Sequence, residues 1–345
     1  MYSKIFPLLT KGVYLNTAYV GLMSKALVEF RANNEKDYLN KGEDYKKNSY
    51  KILEEAHLTI SRFFGVDLNY AFVVNNFSAG IRHVIRLIPK KLNVLLIDND
   101  YPSLISAFEE EDFLIHKVPM LDLGLEDQID DYISKKQIDI LALSIVQYST
   151  GLLIDINFLE SLKSKYPNLI LIGDGTQFLG AHKFNFDLSP FDVVAASGYK
   201  WLLAGFGNGV LMISQKYLDL INKESSFIRD IIFKGHFNIL ATASLNFAIK
   251  SLEKQGFESL MNQKAVLTEK AKNSLSEINQ IGSWVSKRKQ HSSIFILEGN
   301  KGLFKNLTKS KIHCVLRGKG IRISFHYYNT EEDLFYLKNV LKENN

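Results

Sequence analysis

Seven short apolar runs, separated by amphipathic stretches, constrain this chain more than any other feature. They are "AFVVN" (71–75), "NVLLID" (93–98), "FLIHKV" (113–118), "DILALSIV" (139–146), "NLILIG" (168–173), "DVVAAS" (192–197) and "GVLMIS" (209–214). Several are apolar at nearly every position, which suits strands covered on both faces rather than on one. The segments between them, such as "SAGIRHVIRLI", "QIDDYISKK" and "FLESLKSKY", carry a helical period. Strand and helix in alternation predict an α/β fold with a mainly parallel seven-stranded sheet sandwiched by helices.

The pattern changes after about residue 238. "NILATASLNFAIKSLEKQG" and "ESLMNQKAVLTEKAKNSLSEI" read as long helices, followed by short strands in "SSIFILE", "KIHCVL" and "GIRISF". The expected organisation is a large α/β domain over 15–237, with a smaller α+β domain formed by 238–345 and the N-terminal arm 1–14. "VYLNTAYVG" reads as an ordered arm or an active-site loop.

Composition narrows the class. No apolar run approaches the length needed to cross a bilayer, and "MYSKIFPLLTKG" lacks the apolar centre of a secretory signal, so a cytoplasmic location is expected. One cysteine, Cys314, excludes a disulfide framework within the chain and any metal site built from several cysteines. The 42 basic and 37 acidic residues are spread without a basic block, so neither a nucleic-acid nor a membrane partner is expected.

In open α/β sheets, ligands bind beyond the carboxyl ends of the strands. Five of these ends are polar. "NNFSAG" follows the first run, where Ser78 is placed to cap a helix whose first N–H groups, near Phe77 to Gly80, form a phosphate cradle or simply an N-terminus. "NDYPS" places Tyr101 where a ring can stack on a flat ligand. "QYSTG" gathers Gln147, Tyr148 and Ser149. "DGTQ" brings Asp174 directly off a buried strand, where a carboxylate needs a cationic or hydrogen-bonding partner. "SGYK" brings Lys200 to the same edge; among apolar neighbours its amine is a better nucleophile, and the bland alternative is an ion-paired lysine. A cradle, a ring, a carboxylate, hydroxyl groups and a strand-end lysine are the parts that hold pyridoxal phosphate.

With these residues in place the chain resembles the class V aminotransferase family of fold-type I pyridoxal-phosphate enzymes, which includes cysteine desulfurases, selenocysteine lyases, kynureninases and isopenicillin-epimerase-like proteins. The resemblance runs from "YLNTAYVG" to "IRISFHYYNTEEDL". It is most specific in "DGTQ" and "SGYKW", with Asp174 and Lys200 separated by 26 positions, and in "IRIS-HYYNTEED".

The resemblance implies that Lys200 bears the cofactor as a Schiff base and moves the substrate α-proton. It implies Asp174 at the pyridine nitrogen, Gln177 at the ring oxygen, and Tyr101 where desulfurases carry a stacking histidine. Phe77 and Ser78 would hold the phosphate, with Ser197 and Tyr199 beside the lysine and His236 of "KGHFN" reaching the neighbouring subunit of a homodimer that shares its active sites. Gln147 and Tyr148 lie where an asparagine often assists substrate binding. Arg317 is the expected partner of the substrate carboxylate, whereas Arg322, His326 and Asn329 are expected to be mainly structural. Desulfurases need a mobile cysteine after that arginine; this chain has "GKGIR" there, and Cys314 reads as a small buried hydrophobe. The resulting expectation is an aminotransferase acting on a small amino acid, with a lyase or epimerase on the same fold as the alternative.

Overall fold

The computed structural model describes residues 2–318 and 320–343. Twelve strands occur among them: β1 (Val13–Tyr14), β2 (Ala71–Val74), β3 (Asn93–Ile97), β4 (Leu114–Val118), β5 (Ile140–Ser144), β6 (Ile170–Asp174), β7 (Val193–Ser197), β8 (Gly209–Ile213), β9 (Ile294–Glu298), β10 (Ile312–His313), β11 (Val315–Arg317) and β12 (Gly320–Ser324). Seven form one sheet in the order β2-β8-β7-β6-β5-β3-β4. Only β8 runs against its neighbours. The strands β2, β3, β5, β6 and β7 therefore all end at one edge, which brings the five polar strand ends together.

The continuous apolar character of the runs has the expected cause. Alternate residues of one strand enter different cores: Val73, Leu95, Leu141, Val194 and Met212 on one face, and Phe72, Val94, Ile140, Ala195 and Leu211 on the other. With both faces covered, no position is left for a polar alternate. β4 is the exception, since its outer positions are exposed at the sheet edge.

Two long helices, Lys25–Lys41 and Glu43–Phe64, precede the sheet. The first buries only Leu27, so it carries no apolar stripe for a period to show. The helix Ile239–Lys254 shares the core of Ile60 and Phe64 through Leu245, Ala248, Ile249 and Leu252. A separate apolar cluster gathers residues from Leu267 to Leu341 around β9, β12 and the helix Glu331–Lys342, and also takes in Leu15. The arm joins this unit directly, because β1 pairs in parallel with β10.

"KIHCVL" is not one strand. It divides at Cys314, with β10 pairing to β1 and β11 pairing antiparallel to β12. The cysteine sits where the chain changes sheets.

Arg288 and Glu126 tie the two parts of the chain together. Their side chains are 10% and 15% exposed, and Arg288 also donates to the Leu153 carbonyl at 2.9 Å. No helix among the described residues is long and apolar enough to cross a membrane.

Candidate active site

β6 and β7 place Asp174 and Lys200 at the shared edge, 5% and 8% exposed. Asp174 accepts the Thr176 N–H at 2.8 Å. Burial pushes its carboxyl up to about 6, against the hydrogen bonds of Thr176 and the charge of Lys200. Burial likewise pulls Lys200 down to about 8, with Asp174 opposing and Arg322 and Arg317 adding to the fall. The two groups feel each other through space without forming a contact ion pair.

The lysine is held from behind. Gly21 of the arm donates its N–H to the Tyr199 carbonyl at 3.0 Å, and a Cβ there would lie 2.0 Å from the Lys200 carbonyl oxygen. Only glycine permits that approach. Trp201 donates its indole N–H to Gln177 Oε1 at 2.7 Å, and Gln177 Nε2 donates to the Ala18 carbonyl at 2.9 Å. Both ends of the Gln177 amide are thereby oriented, with one amide proton left for a ligand.

At the end of β2 the helix Phe77–Ile85 begins. Its cap is Asn76, which accepts the Ala79 N–H at 2.9 Å, and not Ser78 as the sequence suggested. The helix starts two residues earlier than a Ser78 cap would place it, which leaves Ser78 inside the first turn. The Phe77 N–H goes to Ser197 Oγ at 2.9 Å, and Ser78 Oγ accepts from Ser103 at 2.6 Å. Both hydroxyls keep a proton to donate at the positive end of a helix.

The rim is aromatic. Tyr101 lies edge-to-face with Phe77 (5.8 Å) and Tyr148 (5.5 Å). The Arg317 guanidinium stands 5.8 Å from the rings of both Tyr148 and Tyr19. Tyr199 is stacked on Phe206 at 4.8 Å, with the Lys200 ammonium 5.6 Å from its ring. His236 is exposed and borders a separate small cleft with Asn75, His83 and Thr242.

Arg322, expected to be mainly structural, lies in the middle of β12. It is 2% exposed, donates from Nη1 to the Tyr148 carbonyl at 2.7 Å, and has no partner at Nε or Nη2 among the described residues. Burial and then Arg317 pull it down to about 10. Its charge is felt at Lys200, where it lowers the ammonium together with Arg317. Arg317 also has an unpartnered Nε, but it is half-buried at the end of β11. Lys319 lies outside the described residues.

Asp100 had no sequence signal beyond its neighbour Tyr101. It is 2% exposed and accepts the Ser144 N–H at 2.8 Å, the Ser144 hydroxyl at 2.5 Å and the Tyr101 N–H at 2.6 Å. It locks the loop that carries Tyr101 to the end of β5. The buried amide oxygen of Gln147 has no protein partner. His326 and Asn329 are structural as expected: His326 contacts the Trp201 carbonyl at 3.1 Å, and Asn329 donates to the Tyr14 carbonyl at 3.0 Å. The glycines after Trp201 serve the backbone first, since Gly205 and Gly207 adopt φ of 71° and 89°.

These residues fit pyridoxal phosphate. A protonated ring nitrogen would answer the unpaired Asp174, an aldehyde would answer Lys200, and a phosphate would meet the helix start. Fold and site together define a fold-type I pyridoxal-phosphate enzyme. The sequence matches the aminotransferase class-V family over residues 22–337, and the chain belongs to that family. It is a pyridoxal-phosphate-dependent enzyme.

Among solved structures, one similar to it is a lysine-to-alanine variant of C-DES with glycine covalently linked to the PLP cofactor; identity is 16%, coverage is 98% of each chain, and the TM-score is 0.87. A second is the cystine C–S lyase C-DES in complex with its reaction product cysteine persulfide, at 17% identity, covering 97% of this chain and 98% of that one, with a TM-score of 0.86. A third is the apo cysteine desulfurase from Thermococcus onnurineus NA1, at 17% identity, covering 99% and 96%, with a TM-score of 0.80. No curated protein matches the sequence.

Proposed function

We propose that the chain is an aminotransferase acting on a small amino acid, in which Lys200 bears the cofactor and moves the proton at the substrate α-carbon. The observation that carries this reading is the opposition of Lys200 and Asp174, both buried, close enough to shift each other and not in contact. When bound, the cofactor supplies an electron sink for the pair left when the Cα–H bond breaks.

The remaining roles belong to side chains. Asp174 holds the ring nitrogen in its protonated form. Gln177 turns its remaining amide proton to the ring oxygen, and Tyr101 covers the ring face. Phe77, Ser78 and Ser197 hold the phosphate at the helix start, with Tyr199 beside the lysine. Lys200, brought down to about 8, has a sizeable neutral fraction near physiological pH and serves as the base at Cα. Arg322 takes the substrate carboxylate through Nε and Nη2, with Arg317 at the rim and Gln147 as a further polar contact. We further propose a homodimer: Phe206 is 66% and Tyr19 50% exposed at the mouth of the site, and His236 faces outward as a partner-reaching residue would.

A second reading is β-elimination at a C–S bond without a cysteine relay, which the position of Cys314 leaves open. Burial pushes its thiol up to about 12 and it lies at a strand junction rather than on a loop beside Lys200, so a desulfurase relay through this cysteine is unsupported. A lyase needs no such relay, and one similar structure is described as a cystine C–S lyase.

The test begins with colour. The purified protein should take up pyridoxal phosphate, show Schiff-base absorption and yield a borohydride-fixed adduct that maps to Lys200. Lys200→Ala should lose the adduct. An adduct on another residue overturns the assignment. An amino-acid panel then separates the readings: keto-acid formation dependent on a second keto acid indicates transamination, and release of pyruvate with a sulfur product indicates elimination.

A further inference from the structure

A cleft of about 330 Å³ opens behind the lysine, between the Ala181–Lys183 turn, the helix Phe257–Glu277 and residues 289–291. Its floor is Lys264, 3% exposed, whose ammonium donates to the Ala181 carbonyl at 2.9 Å and stands 5.4 Å from the Trp201 ring. No carboxylate pairs with it; burial alone pulls it down, to about 7. His182 and His291 line the same cleft, and each has a buried Nε2 with no hydrogen-bond partner in the protein. His291 Nδ1 contacts the Ser292 carbonyl at 2.7 Å, so Nδ1 carries the proton and Nε2 is bare while the ring is neutral. Lys183 and Lys289 stand at the mouth, where Glu269 lines the cleft and Glu258 lies 3.9 Å from Lys183.

A buried ammonium with one neutral acceptor is costly, and a cleft that adds two imidazoles and two further lysines does nothing to relieve it. An anion would. We propose that this cleft is a second binding site, for a small oxyanion of the carboxylate or phosphate class, held on Lys264 between the two parts of the chain. An occupant supplies the missing counter-charge, and it opposes the burial that holds His182 and His291 below their ordinary range, favouring their protonated, donating forms. The site stands back to back with the cofactor site, because Trp201 touches Lys264 on one side and hydrogen-bonds Gln177 on the other.

The two tryptophans of the chain report on this cleft. Trp201 lies over Lys264, and Trp284 is 5.3 Å from the His291 ring. The cofactor-loaded protein, its phosphate cradle already filled, is titrated at constant ionic strength with inorganic phosphate and separately with acetate while tryptophan fluorescence is followed. A saturable change is expected with at least one of them; phosphate alone identifies a phosphate site, and both a general oxyanion site. Lys264→Met should weaken binding at least tenfold, and Arg322→Met should leave it unchanged. Should Lys264→Met not fold, the exposed pair Lys183→Ser and Lys289→Ser should still weaken binding several-fold. No saturable change with either anion overturns the proposal, as does a response that survives the cleft variants or disappears with Arg322→Met.

Discussion

Asp174→Asn isolates the cost of holding a carboxylate at the end of β6. In protein stripped of cofactor, burial raises this carboxyl from 3.8 to about 6. An acid whose folded value is raised binds a proton more tightly folded than unfolded, so its ionised form weakens the fold. The cost is full above about pH 6, shrinks as pH falls, and is gone below 3.8. At about 1.36 kcal/mol per pH unit it amounts to about 3 kcal/mol at neutral pH and about half of that at pH 5. Asparagine keeps the shape and the acceptor for Thr176 N–H but carries no charge. It also removes the anion that supports the Lys200 ammonium, so the net gain should be smaller, about 1–3 kcal/mol. Urea unfolding of the stripped proteins at pH 7.5 and pH 5 measures this directly. The variant should be the more stable at pH 7.5, by a margin that narrows at pH 5. With cofactor restored, the same variant should lose about 10²–10³-fold in turnover, because a preorganised charge has been removed from the reacting group. A stripped variant less stable than wild type at pH 7.5, or a margin that does not change with pH, would refute the buried-charge reasoning.

Other expectations follow from the same geometry. Arg322→Met should raise KM for the amino acid about 100-fold in steady-state assays, because a charged bidentate contact is lost, while cofactor absorption is retained. Arg288→Met should strand Glu126 in a largely buried position and lower unfolding stability by about 3–5 kcal/mol. Glu126 is held below its ordinary value, with Arg288 outweighing burial, so its contribution in wild type is present at neutral pH and fades on acidification; the variant should lack that fading in pH-dependent urea melts. Cys314 should resist iodoacetamide at neutral pH in the folded protein, since its thiol is pushed up to about 12, and Cys314→Ala should retain turnover. Rapid alkylation accompanied by loss of activity would reinstate a sulfur relay.

Much was legible in order because the relevant signals are local. A strand buried on both faces is apolar throughout, and a polar residue directly after it marks the ligand edge, so all seven strands of the large sheet, Asp174 and Lys200 could be read from the chain. Ser78 was misplaced as a cap because two residues of helix start are below the resolution of periodicity, and Asn76 satisfies the same rule. The helix Lys25–Lys41 gave no stripe because it buries almost nothing. The sequence by itself determined the layered α/β class and the placement of Lys200 and Asp174 at buried strand ends, through hydrophobic period and strand-end polarity. Only the tertiary structure decided which distant groups converge. Arg322 enters the site because β12 brings it under the Tyr148 carbonyl, Asp100 matters because it spans two strand ends, and Gly21 is required because the arm crosses the Lys200 backbone. Contacts between residues 44 to about 180 positions apart leave no periodic trace, so these roles exist only once the chain has closed on itself.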